Sequence, residues 1–148
     1  GLNQPDLADL FGVYRTVGMN IYFFNGKPNS INLIIWNLLA HEISLQISKL
    51  CAPEPRQDLL AMLNPVFSKN MESMCSWSKQ KSGEREKDPD GVLQSYWIAL
   101  MDFDAPWEEF LSWKEFILNE ESANVQGEQL VYEATYSILM NPHFLLAK

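Results

Sequence analysis

An all-α fold is predicted, a compact orthogonal or irregular bundle of about six or seven helices around a buried central helix at 30–51. Three observations carry this. The segment Ser30–Leu50, SINLIIWNLLAHEISLQISKL, is apolar almost all the way round at helical spacing, and such a helix needs neighbours to cover it. Apolar residues recur at helical spacing in most other stretches, while no pair of alternating runs offers itself as a hairpin. The chain of 148 residues is 47% hydrophobic, with five Trp, eight Phe and five Tyr, ample for one core in a single domain, 1–148.

The elements follow in order. Asp6–Val17 places Leu7, Leu10, Phe11, Tyr14 and Val17 at helical spacing, with Pro5 and Asp6 as start signals. Ile21–Phe24 is a short aromatic run closed by the Asn25-Gly26 turn signal, read as a stub that packs on the core. Asn29 or Ser30 caps the central helix, because a side-chain oxygen there accepts an orphan backbone N–H. Pro53 and Pro55 end it. A third helix starts near Arg56, Asn64-Pro65 kinks or ends it, and Val66–Trp77 continues helically with Val66, Phe67, Met71, Met74 and Cys75 on or near one face.

Residues 79–90, KQKSGEREKDPD, carry four bases, four acids and no large apolar side chain. They read as a mobile polar loop within the one domain. Gly91–Met101 is helical, with Val92, Leu93, Tyr96, Trp97 and Leu100 inward. Asp104 is expected as N-cap of the next helix, with Pro106 in its first turn and Glu108 and Glu109 at the positive end of its dipole. The last long helix is expected to start at Ser122 or Asn124 and to stop before Pro142.

Charge narrows the partners. The net charge is −8. Residues 102–133 hold nine acids and a single base, Lys114, so this stretch alone nets −8. Nucleic acid is not expected as a partner of such a chain, since phosphate binding needs clustered Lys and Arg. Glu108, Glu109, Glu120 and Glu121 are the expected acidic face for a protein partner, one of basic character, against the simpler reading of a solvated surface. No apolar run reaches the roughly 18 residues of a membrane span.

Cys51 and Cys75 are the only cysteines, one helical hairpin apart. Paired, they would add roughly 3 kcal/mol by the loop-entropy estimate. Such a bridge persists in an oxidising setting, periplasmic or extracellular rather than cytoplasmic. The other reading is two buried thiols. Residue 1 is Gly and no signal peptide is present, as expected of a trimmed domain or of an exported chain without its leader.

Catalytic and cofactor patterns are missing. His41-Glu42 starts like HExxH, but residue 45 is Leu, and His143 is the one other histidine. No metal and no cofactor are expected. Asp102 and Asp104, beside Trp107, are explained by capping better than by a carboxylate pair facing a substrate. Trp97, Trp107 and Trp113 are a candidate aromatic ligand pocket, with a core stripe as the plainer alternative. No nucleotide-binding or hydrolase motif occurs. The expected function is a non-enzymatic interaction or accessory domain, exported. The alternatives are a helical domain holding a small apolar ligand in an aromatic pocket, and an acidic immunity-type protein that neutralises a basic toxin. The remotest is a hydrolase built on Asp102, Asp104 or His41.

Overall fold

The structure is a computed structural model that describes residues 7–21, 30–52, 65–80, 91–101, 106–122 and 125–141. Six α-helices are present among the described residues: α1 (Leu7–Met19), α2 (Ser30–Ser48), α3 (Pro65–Ser78), α4 (Val92–Met101), α5 (Trp107–Ser122) and α6 (Glu128–Leu139). A 3₁₀ turn, Lys49–Cys51, extends α2. There is no strand among the described residues, and the all-α class stands.

The helix at the centre is α6, not α2. It packs against α2, α3, α4, α5 and the 3₁₀ turn, whereas α2 packs mainly on α1, α6 and that turn. Along α6, Leu130, Val131, Ala134, Thr135, Ile138 and Leu139 are buried. On α2 the inner face, Trp36, Ala40, Ile43 and Ile47, is fully enclosed. The opposite face is open. Ile31, Ile34 and Leu38 are 65%, 60% and 61% exposed, and Ile35 is 42% exposed. The expectation of a helix wrapped on every side is therefore corrected: apolar residues all round say that a helix favours burial, not that the chain supplies a cover for both faces.

Side-chain hydrogen bonds tie the neighbours to α6. The Tyr14 hydroxyl on α1 donates to the Leu139 carbonyl, and its ring stacks on Trp36 at a centroid distance of 5.0 Å. Thr135 gives its hydroxyl proton to the Val131 carbonyl at 2.7 Å, so its oxygen accepts from Tyr96 on α4. Burial of that phenol, offset in part by its bond to Thr135, pushes the Tyr96 pKa well above its ordinary value. Trp113 on α5 donates through Nε1 to the Ala134 carbonyl at 3.0 Å. Each bond consumes a polar group that its element buries, as a dry interior requires.

Local sequence sets several boundaries. Pro65 opens α3, where its missing N–H costs nothing. Pro106 immediately precedes α5, and its carbonyl receives the Glu109 N–H at 3.1 Å. Pro106 thus stands just outside the helix rather than in its first turn. Ser122 ends α5 instead of starting α6. The start of α6 is fixed by Gly127, whose φ of +65° suits glycine alone. The Gly127 N–H donates to the Ser78 carbonyl at 2.7 Å, clamping this turn onto the end of α3. That contact lies 49 residues away in sequence and leaves no local signature.

Cys51 and Cys75 are joined by a disulfide with a Cα–Cα separation of 5.1 Å. It fastens the 3₁₀ turn after α2 to α3. Of the loop expected at 79–90, Lys79 and Gln80 are exposed and the remainder lies outside the described residues. So do the aromatic run after Ile21 and the helix expected from Arg56.

Candidate functional site

The acid-rich part of the chain folds as an antiparallel pair. The start of α5 meets the end of α6, Asn141 bonding Glu109 and Trp113 bonding Ala134, across a link of only five residues, 123–127. Along the outside of this pair runs an open groove. Two adjoining depressions, of about 490 Å³ and about 580 Å³, share Glu109, Phe116, Ser137 and Asn141. Glu108, Trp97 and Trp113 border the first; Glu133, Tyr136 and Met140 border the second.

The groove holds three carboxylates and no basic side chain among its described lining residues. Asn141 Nδ2 donates to Glu109 Oε2 at 2.9 Å and fixes that carboxylate in place. Ser137 turns its hydroxyl back to the Glu133 and Ala134 carbonyls, at 2.8 and 3.0 Å, so it is not poised as a nucleophile. Aromatic surface comes from Phe116, which is exposed, and half-buried Tyr136. Carboxylates beside aromatic rings suit a cation on an aliphatic stem: the charge meets the acids, and stem or ring face supplies apolar contact.

The expected site residues divide. Glu108 is exposed and Glu109 half-buried, both bordering the groove. Glu120 and Glu121 lie in the last turn of α5, but their side chains are outside the described residues. Trp97 and Trp113 both border the groove, and Trp107 is not among its lining residues. Trp97 and Trp113 are buried against each other at a centroid distance of 5.4 Å and show the groove an edge. Trp107 packs on Phe110 at 4.8 Å, is 53% exposed and does not line the groove. The expected aromatic pocket is thus a packed wall behind an open channel. Asp102, Asp104 and His143 lie outside the described residues. No group of three or more His, Cys, Asp or Glu with metal-binding geometry occurs among the described residues.

His41 is not in the groove but on the seam between α2 and α6. The Tyr132 hydroxyl meets its Nδ1 at 2.5 Å, and the rings meet edge-on. Partial burial, together with the nearby Tyr136 and Glu133, raises the Tyr132 pKa and keeps the phenol protonated in this contact. One turn along, Asn37 Nδ2 donates to the Tyr136 hydroxyl at 2.7 Å. These exposed pairs join two helices and bring no third group for acid–base chemistry.

Sequence reasoning missed Phe116, Glu133, Tyr136, Ser137 and Asn141. The short link between α5 and α6 was the usable signal, because it makes the two helices antiparallel neighbours. No family model matches the chain, and no curated protein or solved structure shows significant similarity to it.

Proposed function

We propose that this is a non-enzymatic interaction domain that captures a basic segment of a partner protein in the groove between α5 and α6. The observation that carries the reading is the meeting of Glu108, Glu109 and Glu133 with Phe116 and Tyr136 in one open channel, with no basic side chain among its described lining residues. Lys or Arg side chains would lay their stems on the rings and their charges against the carboxylates. An acidic inhibitor of immunity type, acting on a basic toxin, is one instance of this class. The tight Trp97–Trp113 contact weighs against an enclosed apolar-ligand site.

A lysine-only peptide titrated calorimetrically tests the proposal. Binding is expected to weaken steeply with salt. The E108Q/E109Q/E133Q variant, which keeps size and hydrogen-bonding capacity, is expected to lose about thirtyfold in affinity, at somewhat under 1 kcal/mol for each rim charge. Equal affinity for the wild type and the variant would remove the groove from the function.

A further inference from the structure

The open face of α2 is a single stripe. Ile31, Ile34, Ile35 and Leu38 follow the i, i+3, i+4, i+7 rhythm of one helix side. Four large aliphatic side chains left 42–65% exposed in one row are more than the scattered apolar residues of an ordinary surface. No Asp, Glu, Lys or Arg occurs from Pro28 to His41.

The stripe does not stand apart from the groove. Asn37 and His41 border it on α2 and reach Tyr136 and Tyr132 on α6. Tyr136 in turn lines the groove with Glu133. The helical register of α6 agrees: its outward arc runs from Tyr132 and Tyr136 on the α2 side to Glu133 and Ser137 on the α5 side. One surface therefore passes from an uncharged aliphatic end, over a tyrosine seam, to an acidic aromatic end.

We infer that this whole surface receives a single amphipathic helix of the partner protein, aliphatic where it lies on α2 and basic where it enters the groove. The inference rests on the groove reading above and adds the shape and pattern of the segment bound. Charge complementarity chooses the occupant. A purely cationic strand leaves the stripe uncovered, and a purely apolar one makes no use of the acidic groove. A second copy would bring the same acids to the same acids. Packed helix axes lie about 8–10 Å apart, so crossing from α2 over α6 to α5 covers roughly 20 Å, or about 13 residues of α-helix at 1.5 Å each.

Three peptides of about that length test it: one of Leu and Lys with the leucines at helical spacing, one of the same composition with the order scrambled, and one of Lys alone. The patterned peptide is expected to bind about tenfold more tightly than the scrambled one, and to shift the amide NMR signals of residues 31–38 together with those of α5 and α6. The I34S/L38S variant changes only exposed positions and should fold, as circular dichroism would verify. It is expected to erase the tenfold advantage and leave binding of the Lys-only peptide unchanged. Equal affinity of patterned and scrambled peptides, or shifts confined to α5 and α6, overturns the single-surface inference while the groove reading stands. Failure of the Lys-only peptide to bind overturns the groove reading itself. Concentration-dependent dimerisation, or binding to phosphatidylcholine vesicles, that I34S/L38S abolishes would assign the stripe to a second copy or to a membrane and overturn the inference.

Discussion

Removing the disulfide is expected to cost about 3.5 kcal/mol. The perturbation is the double variant C51A/C75A, preferred to a reductant because both sulfurs belong to the buried core. The bridge joins residues 24 apart in sequence. A closed loop of that size removes roughly 12 cal/mol/K of entropy from the unfolded chain, or about 3.5 kcal/mol at room temperature. Against a total stability of about 5–15 kcal/mol, that is a large share. At roughly 2–4 °C per kcal/mol for a chain of this size, the melting temperature is expected to fall by about 7–14 °C. Urea unfolding followed by tryptophan fluorescence measures the change. The m-value should rise, because the uncrosslinked chain exposes more surface when unfolded. A loss under about 1 kcal/mol with an unchanged m-value would refute the reasoning, since the segment between the cysteines would then be equally confined without its bridge.

Ile138 on α6 is fully buried while Ile34 on α2 is open, so I138A is expected to cost about 2–5 kcal/mol and I34A under about 0.5 kcal/mol; paired urea curves with comparable losses would restore α2 to the centre. The Ser44 hydroxyl is buried with no hydrogen-bond partner, so S44A should leave stability unchanged or raise it by up to about 1 kcal/mol, and a marked drop in the thermal midpoint would expose a partner for it. The Tyr96 phenol is held protonated above its unfolded value of about 10. Its contribution is therefore complete below about pH 10 and drains away as pH climbs toward the folded value. Denaturation midpoints should fall above pH 10, less steeply in Y96F, and identical slopes for both proteins would contradict this.

Much of the fold was legible because local chemistry wrote it. Proline marks the start of α5, and apolar spacing identifies most of the inward residues of α4, whereas the positive-φ glycines at 91 and 127 fall inside the helices expected from Gly91 and from Ser122 or Asn124, so those turns were not read. The central helix was not legible. Residues 30–50 look the most buried, but the choice between α2 and α6 depends on how many neighbours each acquires, and only tertiary packing decides that. The expected start at Ser122 or Asn124, against the observed Glu128, has the same origin: Ser122, which could cap a helix, instead closes one, because the turn at Gly127 is held from outside by Ser78. For the site, Glu108 and Glu109 were found by charge alone. Glu133 and Tyr136 needed the pairing of two helices to be known first.

The uneven placement of charge also bears on how a partner would arrive. With nearly all the excess acid on α5, α6 and their surroundings and almost none on α1 and α2, the molecule is an electric dipole. A cationic body drifting within a Debye length, about 8 Å at physiological salt, would be turned toward the acidic end before any contact. Capture would start there, fast and salt-sensitive, and the oily row on α2 would act afterwards by slowing escape.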